Sequence, residues 1–439
     1  MPVPTLLTDN ALPTATLERL NALAEQYVGS LCTALSLAVW HRDERVLDAS
    51  WGWQGEMSAP LTDPRLRFDL ASVTKLFTTT AFLKLLSDSG LSLATPLVEI
   101  IPEFGATGPR PINGGWDPHT NTPLPVAPDL ADLRIDPAQI TFQHLLTHTV
   151  GLVPWRALYE LTGPVPPPPT EPDPLDPATR FGRGLAAICE TPFIGLPGAA
   201  IRYSDLGLIL LGEAAVRLFQ DAKDSRRGLG DSQNEPSLIT NHAPLTTDHQ
   251  PLATLIHSLV LQPAHLTTLT FNPVRDHGLT REQTAPTEID PRWRHRRAWG
   301  EVHDENACGL GGVAGHAGLF GAAVDVAAFG QAWLSGGGSF GLAPELVAGA
   351  TSVQAVTGIE RRGLGWMLKS LEGSSAGNHF SPQSFGHTGF TGTSLWIDPE
   401  ARLVVALLTN SVYPGRLQPG TIELRRAVHD AIWEGATST

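Results

Sequence analysis

The chain has 439 residues, 42% hydrophobic and 17% charged, which is enough material for one large or two ordinary domains and too apolar for a disordered chain. Its net charge of -14 argues against nucleic acid as the main partner, because phosphate binding needs a surplus of Lys and Arg; the one basic cluster, Arg292 to Arg297, is short and sits beside acidic residues. Three widely separated cysteines, Cys32, Cys189 and Cys308, fit neither a disulfide framework nor a zinc site and read as buried free thiols. No segment holds the roughly 18 apolar residues of a membrane span. Met1 to Asn10 lacks the basic run and apolar core of a signal peptide. A cytoplasmic protein without membrane contact is expected, although a signal removed beforehand would leave no trace.

In chain order, Leu17, Leu20, Leu23, Ala24 and Val28 recur at helical spacing after Pro13 and predict a helix. Leu35, Leu37 and Val39 alternate with smaller residues, and a charged turn at His41 to Arg45 leads into Val46 to Trp53, which predicts a hairpin. Pro109 to Pro137 and Gly163 to Pro177 cannot be helix interior, since proline lacks the amide donor; loops this long are expected to wall a cleft. Asp221 to Pro291 is polar at first, with a helix-like piece around Leu252 to Leu261. Ser394 to Ile397 and Leu403 to Leu408 flank Asp398-Pro399-Glu400 as a second strand pair, and a last helix is expected from about Ile422 to Trp433. The ends are strand-rich and the middle helical. This pattern predicts an α/β (α+β) fold in which residues 1–80 and 300–439 supply an antiparallel sheet, with a mainly helical region, 81–299, inserted between them.

Ser72-Val73-Thr74-Lys75 opens an apolar, helix-like run. Positions i and i+3 share a helix face, so the Lys75 amine can reach the Ser72 hydroxyl, which is a poor nucleophile until a base takes its proton. Tyr203-Ser204-Asp205 ends a loop ahead of Leu206 to Leu211, and His387-Thr388-Gly389 precedes the last strand pair, where an edge strand can present an amide to a carbonyl oxygen.

Phe68 to Thr78 resembles the nucleophile segment of the serine beta-lactamase and penicillin-binding-protein superfamily, in its class C-like and esterase branch. Thr141 to Leu152 and Gly315 to Phe320 with Asp325 are similar to that branch's second and third blocks. Tyr203 to Gly207, Gly300 to Ala307 and Gly311 to His316 look like a subgroup of exo-acting muramyl-L-alanine amidases and low-molecular-mass D-alanyl-D-alanine carboxypeptidases. The resemblance implies a beta-lactamase-like fold and an acyl-enzyme on Ser72, with Lys75 and Tyr203 moving its proton. It assigns the oxyanion donors to the amides of Ser72 and Phe390. Substrate contacts are expected from Asp205, His387, Thr388, Gly389, His303 and Asn306. No cofactor or metal is required.

Two residues depart from the family pattern. His387 stands where Lys is frequent, which replaces a permanent cation by a group mostly neutral near pH 7. Asp205 stands where Asn is frequent and adds a charge that would hold Lys75 protonated. His144 and His148 lack the Glu that a metalloprotease helix places after its first His, and so read as structural. His303, Asp304 and Glu305 read as a cleft-lining loop rather than metal ligands, and Gly309 to Gly315 as a tight turn. Trp155 and Trp396 are candidate pocket walls. The expected function is hydrolysis of an amide or ester in a small molecule, foremost a peptidoglycan-derived muramyl peptide. The alternatives are a broad small-ester carboxylesterase or a catalytically silent wall-fragment binder. The oligomeric state stays open.

Overall fold

The computed structural model describes residues 3–116, 122–228, 250–416 and 418–438. Its main sheet runs through β1 (Thr5–Asn10), β2 (Ala34–His41), β3 (Glu44–Gln54), β4 (Ala355–Thr357), β5 (Glu360–Arg362), β6 (Met367–Leu368), β7 (Phe385–Thr388), β8 (Ser394–Asp398) and β9 (Leu403–Thr409). Their spatial order is β1-β3-β2-β9-β8-β7-β6-β5-β4, every neighbouring pair antiparallel. The first and last strand groups of the chain therefore meet at the β2–β9 seam, as the strand-rich ends predict. The β2–β3 turn consists of Arg42 and Asp43 alone, both at positive φ (52° and 70°), the backbone hand that a two-residue hairpin requires.

Strand alternation divides the interior into two cores. Leu35, Leu37 and Val39 of β2 and Leu403, Val405 and Leu407 of β9 pack with α1 (Thr14–Tyr27) and α5 (Thr421–Thr437) on one face. Ala34, Ala38, Val404, Ala406 and Leu408 point to the other face, toward α2 (Thr74–Ser89), α3 (Asp205–Gly228) and α4 (Ala323–Leu334). α2 is buried all round from Thr74 to Leu83, so it is a central helix rather than an amphipathic cover, and it stops at Gly90 in the left-handed conformation (φ 71°). The same alternation corrects one expectation. Trp396 pairs with Gly386 and faces the α1/α5 core, whereas His387, one residue on, faces the opposite side; Trp396 therefore does not wall the cleft.

The proline-rich segments also behave differently from expectation. Pro177 and residues 250–252 line a separate pocket beside Phe181 and Val216, but none of the residues lining the Ser72 cleft comes from 109–137, 163–177 or 221–291, of which 117–121 and 229–249 lie outside the described residues. Prolines leave carbonyl acceptors without matching N–H donors, and guanidinium groups, which only donate, satisfy them. Arg180 reaches the carbonyl of Pro164 (2.9 Å), Arg296 that of Pro166 (2.9 Å) and Arg275 that of Pro167 (2.9 Å). Arg180 is fully buried and grips Asp173 with two bonds of 2.9 and 2.8 Å. The segment is pinned against the body by three arginines instead of forming a wall over the cleft.

Removing one partner of a buried, bidentate pair strands the other charge. Arg180→Ala is expected to cost about 3–5 kcal/mol of stability, read as a lower urea midpoint, and to expose 163–177 to limited proteolysis.

Candidate active site

Ser72 lies in a single 3₁₀ turn, Ala71–Val73, that runs directly into α2. One turn on, Lys75 is 1% exposed, and its Nζ donates to Ser72 Oγ at 2.9 Å and to the His316 carbonyl at 3.0 Å. The same ammonium lies 2.8 Å from Asp205 Oδ1, at the first residue of α3. Burial favours the neutral amine, yet the charge of Asp205 and the Tyr203 phenol outweigh it, and the Lys75 pKa is raised above its ordinary value. Lys75 Nζ lies 4.9 Å from the centre of the Tyr203 ring; burial is the largest influence on the phenol and raises its pKa, against the lowering effect of the Lys75 charge.

The Tyr203 loop is laid along the segment that follows the Thr141 block. Arg202 N–H donates to the His148 carbonyl (2.7 Å), Ser204 N–H to His148 Nδ1 (3.1 Å), Ser204 Oγ to the Val153 carbonyl (2.8 Å) and Asp205 N–H to the Pro154 carbonyl (3.0 Å). His148 thus has the structural role expected of it, and its ring lies 4.6 Å from that of Tyr203. Across the cleft, His387 on β7 is 1% exposed and its ring is 6.0 Å from Tyr203. Burial first, then the charges of Arg362 and Lys75, hold both histidines well below the ordinary imidazole pKa, so both are neutral at physiological pH.

Gly389 closes the approach of β7 to the Ser72 turn. A Cβ there would lie 2.6 Å from the Leu70 carbonyl oxygen and 2.1 Å from Thr393 Oγ1, so only glycine fits. Phe390 follows with its ring 56% exposed and 5.7 Å from that of His303. Ser72, Tyr203, His387, Thr388, Gly389 and Phe390 all border one cleft of about 600 Å³.

His303 and Asn306 are not among the residues bordering it. His303 is buried behind Phe390 with Nε2 2.9 Å from Glu288. Asn306 is fully buried, its side chain donating to the Arg156 carbonyl (2.8 Å) and accepting from Tyr159 N–H (3.2 Å), so it braces the 156–159 loop. Trp155 is likewise absent from the lining.

Sequence reasoning missed Arg362. It comes from β5, is 3% exposed, and lines the cleft with its Cζ 5.3 Å from the Tyr203 ring centre. Glu360 holds one edge of the guanidinium at 3.0 and 2.5 Å, while Nη1 is buried with no hydrogen-bond partner among the described residues. The only sequence signal is Glu360-Arg361-Arg362 after the Gly358 turn, which reads as an ordinary solvated hairpin.

Asp205, Asp304 and His316 bring one donor atom each to within 4.8 Å of one another, a set that metal binding requires. The cation held there is Lys75 itself, bonded to Asp205 and to the His316 carbonyl. Asp304 is committed to His316 Nε2 (2.9 Å) and to the Ala307 amide (2.8 Å). A metal ion would have to displace the ammonium, so the donor set fits Lys75 rather than a divalent ion.

A family model described as "Beta-lactamase" matches residues 20–231 and 244–430. The chain belongs to the beta-lactamase family. Within that family it is 29% identical over 365 residues, 78% of this chain and 68% of the relative, to a "Putative D-alanyl-D-alanine carboxypeptidase" of Escherichia coli (strain K12). A protein of the same name from Salmonella gallinarum is 35% identical over 175 residues, 35% of this chain and 39% of that one. Among solved structures, EstCE1, described as a hydrolase with promiscuous acyltransferase activity, superposes with a TM-score of 0.62 at 17% identity, over 95% of this chain and 98% of its own. A penicillin-binding-protein homologue from Caulobacter crescentus gives 0.60 at 17% identity, over 97% and 100%. The beta-lactamase fold expected from the sequence is thus the fold observed, and the protein is a beta-lactamase-like serine hydrolase. No helix among the described residues is long and apolar enough to cross a membrane.

Asp205 raises the pKa of both Lys75 and Tyr203. With Ser72 as nucleophile, as the resemblance implies, one of the two would have to be deprotonated to take its proton, so kcat/KM should rise with pH as the pair loses a proton. Asp205→Asn removes the charge that favours the protonated pair, and its ascending limb is expected at lower pH than that of wild type. An unmoved limb in a pH–rate profile would show that Asp205 does not set the pair's titration.

Proposed function

We propose that Ser72 is the nucleophile of an amide hydrolase whose substrates carry a free carboxylate on the amino acid that leaves. The supporting observation is that one cleft is lined both by Ser72, bonded to Lys75 at 2.9 Å, and by Arg362, whose buried Nη1 has no hydrogen-bond partner among the described residues. The reaction begins when Ser72 Oγ bonds the carbonyl carbon and its proton passes to the Lys75–Tyr203 pair. The tetrahedral oxyanion is taken by the amides of Ser72 and Phe390, each donor worth about 3 kcal/mol at the transition state. Collapse breaks the C–N bond, and the departing amine takes the proton held by the pair. Water then attacks the acyl-serine, giving its proton to the pair; as the acyl C–O bond breaks, the pair returns that proton to Ser72 Oγ, and the acid product and free Ser72 are released.

Arg362 supplies the cation that His387 does not. The molecule as a whole repels anions with its net charge of -14, so an anionic substrate needs a local positive site. An amidic N-acyl amino acid with a free α-carboxylate fits: a D-alanyl-D-alanine terminus and a muramyl-L-alanine both have this pattern. A guanidinium can take a carboxylate through two parallel bonds, which fixes the scissile amide relative to Ser72.

A second reading, small-ester hydrolysis, is favoured by the exposed Phe390 and Ile422, which border the same cleft with Met367 and Val412 and offer an acyl group an apolar rim. A panel of D-alanyl-D-alanine peptides, muramyl-L-alanine and p-nitrophenyl esters separates the readings. Amide turnover is expected, with product amino acid released; ester turnover without amide cleavage would sink the first reading.

Ser72→Ala is expected to abolish both turnover and covalent labelling by a fluorophosphonate with the circular dichroism spectrum unchanged. A wild-type chain that takes up no label at Ser72 would instead mark a wall-fragment binder. Arg362→Gln is expected to raise KM at least about 10-fold for the carboxylate substrate, the scale of a charge-assisted bond. KM for a neutral ester should stay within about twofold, and equal losses on both substrates would remove Arg362 from carboxylate recognition.

A further inference from the structure

Behind the cleft, one buried residue, Asp69, bonds to the Ser72 turn and to the residues beside Phe390. Asp69 is 2% exposed and lies three residues ahead of Ser72. Its Oδ1 accepts the Ala71 N–H at 2.8 Å, its Oδ2 accepts the His303 N–H at 2.6 Å, and its backbone carbonyl accepts the Thr391 hydroxyl at 2.7 Å. These three bonds reach the nucleophile turn, the residue whose ring backs Phe390, and the residue that follows Phe390.

The nucleophile turn needs such support. Ala71 has φ 46°, a left-handed conformation that costs a residue bearing a Cβ and persists only where its surroundings over-determine it. Asp69 Oδ1 holds the Ala71 amide, and the Leu70 N–H bonds the Leu319 carbonyl at 2.9 Å. That conformation fixes where the next residue, Ser72, points both its hydroxyl and its amide.

The partner loop hangs on the same two residues. Thr391 Oγ1 is tied to the Asp69 carbonyl, Thr393 Oγ1 donates to the Leu70 carbonyl (3.0 Å), and Gly389 N–H closes the turn on the Thr393 carbonyl (2.7 Å). Phe390 therefore sits inside a turn whose geometry is referred to Asp69 and Leu70. Its exposed ring would otherwise be unsupported; it rests on His303, whose amide is the third bond of Asp69 and whose ring is held by Glu288 at 2.9 Å. Glu288 is in turn fixed by Arg416 at 2.5 Å.

We infer that Asp69 is a positioning residue that sets the Ser72 and Phe390 amides at their working separation, with Thr391 as its link to the Phe390 side. This rests on the reading of Ser72 as nucleophile. Asp69 itself is not among the residues lining the cleft and acts through its bonds to the Ala71 and His303 amides and the Thr391 hydroxyl.

The test uses Thr391→Val, which keeps the shape and removes the one hydroxyl bond, Thr391→Ser, which restores a hydroxyl, and Asp69→Asn, which sets an amide donor against a backbone N–H. In Thr391→Val and Asp69→Asn, kcat is expected to fall about 10- to 100-fold, part of the loss seen when a donor is deleted outright, with KM within about twofold. The rate of Ser72 phosphonylation by a fluorophosphonate and the affinity for a boronic acid mimic of the tetrahedral state should fall by a similar factor. Affinity for the departing amino acid should not change, and Thr391→Ser should recover most of the loss. A kcat and labelling rate within twofold of wild type in Thr391→Val would overturn the inference, as would a loss that moves KM and product affinity equally. If Asp69→Asn does not fold, the Thr391 pair still tests the link through the Asp69 carbonyl, and Asp69→Ser, which keeps one acceptor where the carboxylate offers two, tests the carboxylate; wild-type kcat and labelling rate in Asp69→Ser would overturn its part. Failure of the nucleophile reading is seen separately, as labelling that survives Ser72→Ala.

Discussion

An ammonium shut inside the protein is the constraint on which the site depends. Lys75 is 1% exposed, and an isolated charge at that depth would cost several kcal/mol and neutralise itself. It stays charged because Asp205, the Ser72 hydroxyl and the His316 carbonyl converge on it. These partners come from the start of α2, the start of α3 and the turn before residues 319–321, segments up to 241 residues apart. Packing of α2 against α3 is therefore also what assembles the chemistry. The two histidines flanking Tyr203 stay neutral for the opposite reason: they are buried without a carboxylate partner and face the cations Arg362 and Lys75. Asp205 thus serves Lys75 without competition from an imidazolium.

The sheet is the rigid member of this arrangement. β7 is held between β8 and β6, and its end meets the Ser72 turn at Gly389, where no Cβ could be accommodated. Because β7, β8 and β9 are paired in register and buried, Gly389 and Phe390 cannot drift relative to the core, and α2 is fixed by burial on all sides. Two elements each anchored by a core, rather than flexible loops, bring Ser72 and the Phe390 turn together. The irregular proline-rich chain, which composition makes conspicuous, is spent on covering the body under three arginines.

Electrostatically the cleft is the reverse of the molecule around it. The chain carries -14, yet Arg362, Arg416 and Arg425 border the cleft. Arg425 donates to the Gly389 and Thr393 carbonyls (2.7 and 2.8 Å), and burial lowers its pKa to about 10. Arg416 is occupied by Glu288 and Glu305. Arg362 has a buried terminal nitrogen, Nη1, without a hydrogen-bond partner among the described residues.

Local pattern was enough for the hairpin of β2 and β3, the β8–β9 pair, the terminal helices and the Ser72–Lys75 pair, because periods of 2 and 3.6 and a three-residue spacing on a helix are properties of neighbouring residues. The Asp205 effect on Lys75 was legible for the same reason: motif order placed a carboxylate beside Tyr203. Arg362 was not, because its place depends on a register passed across three strands, Arg362 to Met367 to Gly386, before it stands beside His387. His303 and Asn306 looked like cleft residues in sequence and turned inward, since only packing decides which side of a loop faces solvent. Asp69 carried no signal at all; its three bonds run to residues 71, 303 and 391, two of them more than 200 positions away. The sequence by itself determined the periodic elements and the residue types able to form an acyl-enzyme. The tertiary structure decided which charges are buried, which are compensated and which stay free to meet a substrate, because desolvation and pairing depend on the neighbours that folding brings together.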